Sequence, residues 1–304
     1  MANILLRSPY YITDTEAGSS YATLDLSFNG TQHYTIKKDV DSTDSVLFEI
    51  NELARDYLDI TFNGTYTSQV IAITGTIKFF DSSDVQVGTD ANISHTGFDG
   101  YGDFIDGASP TITPNSLLQS NTTIYVPENT TGYIAEESSN AINYVLFGTA
   151  STSVFAGGQT VTIKRVCEPR YTPIKVTFIN KFGALQDIYF FKKSIESINV
   201  SKDSYKRSLV SSTGTYSVNA HSKAVFNAKG TTSLSMNTGF ISDPMNEVFK
   251  QLMLSEQVWA TIGSDVIPID ITTTQLTYKT SVNDRLVNYT INVDYAFNTI
   301  NDLR

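Results

Sequence analysis

The chain has 304 residues, 40% hydrophobic and only 17% charged, with a formal net charge of −10. An acidic chain without a basic stripe argues against nucleic acid as a partner, because phosphate binding needs cations that release counterions. The low charged share, against a usual ~25%, predicts a neutral polar surface of Thr, Ser and Asn.

The N-terminus lacks the basic start and apolar stretch of a secretory signal, and no segment reaches the ~18 apolar residues of a membrane span, so a soluble protein is expected. Residues 21–36 alternate around Asn29-Gly30, the dipeptide of a tight hairpin. Ile50, Leu53, Ala54, Tyr57 and Leu58 then fall at helical spacing and predict one or two turns at a sheet edge. Strands are expected at Ile60 to Phe62 and Val70 to Phe80, with Asp81 to Asp84 turning into Val85 to Val87. From Gly88 to Ser120 the Gly, Asp, Ser and Pro content predicts a long surface loop pinned by Phe98, Tyr101, Phe104 and Ile105. Further strands are read at Tyr125, Tyr133, Tyr144 to Phe147 and Val161 to Val166.

Pro169 and Pro173 cannot both serve a sheet ladder, so residues 168–173 are read as a linker between an N-terminal domain, 1–167, and a C-terminal domain, 174–304. The second domain opens with strands Ile174 to Asn180 and Ile188 to Phe191, and Tyr216 to Val218 is expected to pair with Ala224 to Phe226. Asp243 and Pro244 start a helix whose stripe is Met245, Val248, Phe249, Leu252 and Met253. Val258 to Ile262, Val266 to Ile271, Leu276 to Thr280 and Tyr289 to Phe297 are read as closing strands. The long, sparsely charged strands Ile174 to Asn180 and Tyr289 to Phe297 are expected at open sheet edges, which invite pairing with another chain. The fold class is thus mainly β: two β-sandwich-like domains, each with one short helix.

Catalytic signatures are missing. The only histidines are His33, His95 and His221, and there is no nucleophile elbow, phosphate-cradling loop or zinc-protease motif, so neither an enzyme nor a cofactor is expected. The lone Cys167 cannot form an internal disulfide and is expected as a small buried apolar side chain, which suits assembly in a reducing cytoplasm. Asp99, Asp103 and Asp106 on the Gly-rich loop are weak candidates for calcium ligands, although their spacing fits no EF-hand. Tyr101 and Phe104 on that loop are candidate glycan contacts.

Three stretches resemble virion structural proteins of tailed bacteriophages, of the kind that infect Bacteroidetes-like or marine hosts. They are Ile4 to Ile12 followed by Val46 to Leu58, then Phe178 to Ser194, and finally Leu286 to Phe297. The second domain resembles the tail-tube or distal-tail fold, although in distal-tail proteins that domain usually comes first. The resemblance implies a non-enzymatic tail or baseplate component that assembles into a ring, made in the host bacterial cytoplasm and carried on the virion. Its expected partners are copies of itself and neighbouring virion proteins, with no membrane. A host-glycan recognition module and a neck or tail-completion protein are the alternatives.

Overall fold

The structure, a computed structural model, describes residues 1–277 and 286–300. Strands take up 52% of the chain and helices 6%, so backbone pairing between strands dominates, as the β-branched and aromatic composition predicts.

The first unit is a six-stranded sheet in the order Thr31–Asp39, Tyr21–Phe28, Ile71–Phe80, Gln86–Phe98, Ala2–Leu5, Thr111–Ile112. Tyr21–Phe28 shows why it forms: Ala22, Leu24, Leu26 and Phe28 are buried and the residues between them are not, the period-two pattern of a half-buried strand. Asn29 and Gly30 both have positive φ, 49° and 81°, as the hairpin dipeptide requires. A second layer lies over this sheet. It consists of the paired strands Tyr11–Thr15 and Ser45–Glu49 and the short helix Asn51–Arg55, whose Ile12, Val46, Phe48 and Ala54 share one core with Leu24, Leu26 and Ile73.

A second unit packs the hairpin Gly132–Ser138 and Ala141–Phe147 against Ser153–Ala156, Gln159–Val166 and Thr123–Pro127, enclosing Ile124, Val126, Ile134, Phe147, Val161 and Ile163. Arg165 ties its loops by donating to the carbonyls of Pro127, Thr130, Gly148 and Ser151.

The third unit is a seven-stranded sheet in the order Leu185–Phe190, Ile174–Ile179, Val258–Ile262, Asp265–Ile271, Thr290–Asn298, Lys223–Asn237, Ile195–Lys206. The helix Met245–Leu254 covers one face, with Met245, Val248, Phe249 and Leu252 buried against Phe178, Phe190 and Val293. The cores also touch one another: Tyr189 and Phe191 enter the second unit's core, and Ile60 and Phe62 pack on Ile179, Leu185 and Trp259. Residues 167–173 lie outside the strands, and these contacts cross them.

Several expectations are corrected. Gln86–Phe98 is a thirteen-residue strand and Thr111–Ile112 a short one, so the irregular part of the expected loop is cut to residues 99–110 and 113–120; the long strand's apolar residues are few because its outward face is polar, and it is held by Ile71–Phe80 on one side and Ala2–Leu5 on the other. Ile60 to Phe62 is buried coil, not strand, because the Gln69 side chain takes the Thr61 N–H (2.6 Å) and donates to the Thr61 carbonyl (2.8 Å) in place of a neighbouring strand. Tyr216 to Val218 pairs with nothing regular; Ala224 and Val225 instead face Tyr205 and Ser204. Asp243 gives no side-chain cap to the second helix, where only its carbonyl accepts the Asn246 N–H.

Ile174–Ile179 and Thr290–Asn298 are interior strands, each paired on both sides, so neither is an open edge. Cys167 is exposed rather than buried, and hydrogen bonding to Glu128 pushes its thiol pKa up, so it stays protonated. Of the strand expected at Leu276 to Thr280, Leu276 and Thr277 are coil, and residues 278–280 lie outside the described residues.

Candidate assembly surface

Two features project from this body: the loop 99–110 and the hairpin Ile195–Lys206 with Lys223–Asn237. The loop is pinned to the third unit by charge. Lys181 Nζ sits 2.8 Å from Asp103 Oδ2 and 2.9 Å from Asp106 Oδ2, and Lys250 Nζ is 3.1 Å from Asp103 Oδ1. The hydrogen bonds from Lys181 hold both carboxyls below the usual carboxylate range. Their shared field keeps the Lys181 ammonium above its usual value despite the opposing effect of burial. A one-turn 3-10 helix, Phe104–Asp106, carries the tip, with the Asp103 N–H donated to Asp106 Oδ2 at 2.8 Å.

Asp99 is not part of this cluster. Its Oδ1 accepts from Arg55 Nε at 3.0 Å, and burial pushes its carboxyl up more than Arg55 and Arg7 pull it down. Arg55 also pairs with Glu256, which Arg7 reaches at 3.3 Å, so this second cluster bridges the first and third units. The three candidate calcium ligands are thus split between two ion-pair clusters rather than turned toward one point, and the described residues contain no group of three acids, histidines or cysteines arranged for a metal. The candidate glycan contacts also part company. Tyr101 lies under the Arg7 guanidinium, 5.2 Å from its centroid, with its hydroxyl buried and unpartnered, whereas Phe104 and its neighbour Ile105 stand fully exposed.

The hairpin has the opposite character. All twelve residues of Ile195–Lys206 are exposed, including Ile195, Ile198, Val200 and Tyr205. Its partner strand is buried at the root, where Leu234 and Met236 enter the core, and at Gly230, and farther out Val225 and Phe226 are exposed. A bulge at Asp203 and Ser204 precedes the tip, residues 207–222, where Val210, Tyr216 and Val218 are exposed as well. At the far end of the same sheet the edge Leu185–Phe190 is closed, because Tyr189 is buried in the second unit and the Leu185 N–H donates to Tyr144 Oη at 3.0 Å. Ile195–Lys206 is therefore the uncovered edge of this sheet: among the described residues no strand pairs with its outer side.

The interior offers no comparable site. Asp187 accepts from Tyr66 Oη (2.7 and 2.6 Å) and Thr177 Oγ1 (2.7 Å), with Lys175 Nζ 4.0 Å away, which satisfies a carboxylate at the junction of all three units. Burial, then the Asp187 charge, push the Tyr66 hydroxyl far above its usual value, so it remains a donor. The spaces beside this cluster measure 20 and 10 Å³, room for no more than about one water each. Grooves of 400 to 630 Å³ are open to solvent.

The sequence reading missed the arm because neither of its faces is buried near the tip, so the period-two alternation that marks a strand is faint there. The available signal was Ile198-Asn199-Val200, uncharged and flanked by Ser, which faces the equally uncharged run Gly230 to Thr232. Comparison with protein-family models, curated proteins and solved structures finds no match to this chain.

Proposed function

We propose that this chain is a non-enzymatic building block of a larger particle, a tail or baseplate component of a tailed bacteriophage, carried on the virion and assembled in the host cytoplasm. The observation that supports a building block most strongly is the arm: a long hairpin with exposed apolar residues and an open strand edge. In a monomer such an edge is an aggregation hazard, and contact with neighbouring chains removes it. The phage assignment itself rests on the resemblance of the three stretches quoted above.

Ring assembly was expected from two open edges on the C-terminal sheet. Both strands expected there, Ile174 to Asn180 and Tyr289 to Phe297, are interior; of the sheet's actual edges Leu185–Phe190 is covered by the second unit, and the arm remains as the strand-pairing element. Immunogold labelling of purified virions with antibody to this chain tests the reading: gold on the tail or baseplate supports it, gold on the neck shifts it to the completion role, and no gold with no peptide in the virion proteome overturns it.

A second reading, host-glycan recognition, is favoured by one observation, the full exposure of Phe104 on a loop that ion pairs hold in place. Binding of the full chain to host cell-envelope glycans that is lost in Phe104→Ala would favour it. Equal binding by both chains would remove it.

A further inference from the structure

We propose that two copies of this chain join edge to edge through Ile195–Lys206, antiparallel and two-fold symmetric about Asn199. The inference deepens the building-block reading and rests on it only for its biological setting, since pairing is measurable on the isolated protein. An isologous contact lets this one edge serve both copies, because the same strand is presented by each. The strand's sequence complements itself in one register. With Asn199 opposite its own symmetry mate, Glu196 of each copy faces Lys202 of the other, Ile198 faces Val200, and Ser197 faces Ser201.

Glu196, Ile198, Val200 and Lys202 alternate along the strand and so share one face, the face on which Leu234, opposite Glu196, enters the core. Pairing would set four apolar side chains side by side, flanked on both ends by an ion pair, where now Ile198 and Val200 are 55% and 54% exposed. Sliding by two residues in either direction opposes Val200 or Ile198 to itself and separates Glu196 from Lys202. Glu196 lies near Tyr295, whose hydroxyl pKa is pushed up by burial and then by the Glu196 charge.

The complementarity lies in the centre of the strand, not at its tip: in this register the basic tip, with Lys206, Arg207 and Lys223, comes to the other copy's Lys192 and Lys193, of which Lys192 is already held by Glu168 at 2.6 Å. The other exposed edge strand, Thr31–Asp39, holds Lys37 and Lys38 side by side, a guard against pairing, whereas residues 197–201 of the arm hold no charge.

Sedimentation velocity on the full chain over a concentration series tests this. One strand pair is small, below roughly 1,200 Å², so a weak dimer with a dissociation constant of about micromolar or above is expected. Glu196→Lys and Lys202→Glu each create like-charged pairs and should weaken the dimer about ten-fold or more, whereas the double swap should restore it. Val200→Lys, at an exposed position, should give a monomer with an unchanged melting temperature. A chain that stays monomeric at about 100 µM overturns the inference. So does a dimer that the single swaps leave intact, or a double swap that fails to rescue. Virion labelling is independent of all these results, so loss of the phage reading and loss of the pairing are separately visible.

Discussion

The loop 99–110 and the arm 195–237 look alike as sequence, both polar with scattered aromatics, and both carry fully or largely exposed apolar side chains. Their anchoring differs. The loop is fixed at several points: the Tyr101 N–H donates to the Lys181 carbonyl at 2.8 Å, the Arg7 N–H to the Gly100 carbonyl at 2.9 Å, and Lys181 and Lys250 clamp its carboxylates. Beyond its root the arm holds itself together with its own ladder and a loose Tyr205–Phe226 contact, ring centroids 6.1 Å apart. An exposed aromatic on the loop is therefore presented by the body, whereas one on the arm depends on the arm alone. Breaking a contact should be felt by the whole molecule in the first region and by almost nothing in the second.

The largest expected effect is a charge set into the body core. Phe249 is fully buried against Phe190 and Tyr289, so Phe249→Asp strands an unpaired carboxylate and should cost more than about 4 kcal/mol, enough to unfold the third unit. Phe226→Asp on the arm makes the same chemical change at an exposed site and should alter stability by no more than about 0.5 kcal/mol. Urea titration followed by tryptophan fluorescence, with the single Trp259 in the third unit as reporter, compares the two. Equal losses would mean that the arm folds back on the body.

A pair of glycines sharpens the contrast. Gly183 and Gly214 have nearly the same φ, +78° and +77°, but an added Cβ at Gly183 would come 2.7 Å from the Asp99 nitrogen, whereas at Gly214 nothing lies within 4 Å. Gly183→Ala adds backbone crowding to the left-handed strain and should cost about 2–4 kcal/mol. Gly214→Ala bears only the strain, about 1 kcal/mol, and at the arm tip it should leave the global melting temperature unchanged.

A smaller effect is expected at Lys181, and it is specific to pH. Asp103 and Asp106 titrate below their unfolded values near 3.9, so the stability they give through Lys181 is complete above that pH and is lost as pH falls through their folded values. Lys181→Met should therefore melt lower than the native chain at pH 7, with the gap narrowing as pH falls below about 4. Asp99 works in the opposite sense: burial raises its folded pKa, so its contribution is present at low pH and is lost as pH rises through that value. A constant gap between the curves from pH 7 to 3 would show that the lysine acts by packing its stem rather than by charge.

Legibility followed the same division. Where a segment packs on one face of a sheet or helix, its periodicity was visible, as in Tyr21–Phe28 and in the helix stripe Met245, Val248, Phe249 and Leu252. Sheet order was not visible, because it depends on distant partners: Ala2–Leu5 inserts parallel to Gln86–Phe98, and nothing local announces that Thr290–Asn298 will be covered by Lys223–Asn237. The loop's acids could be seen as a group, but the cations that divide them, Arg55, Lys181 and Lys250, come from remote positions. Ile60 to Phe62 read as a strand because burial and β-branching look the same whether a neighbouring strand or a glutamine side chain satisfies the backbone.

The smallest expected effect is also the most discriminating. Replacing residues 204–226 by Asn-Gly joins Asp203 to Asn227, which already face each other in the ladder, through a two-residue turn suited to a hairpin. The deletion removes the bulge, the tip and the Tyr205–Phe226 contact, but no fully buried residue, since every removed position is exposed or intermediate. Because stability follows buried apolar area, the melting temperature should stay within about 1–2 °C of the full chain. The shortened arm keeps Glu196, Ile198, Val200 and Lys202, so any edge-to-edge association should survive the deletion. Calorimetry and sedimentation on the same preparation read both properties. A fall of more than about 5 °C would mean that the tip stabilises the body, and the arm could then no longer be treated as a free element that finds its contacts only on another chain.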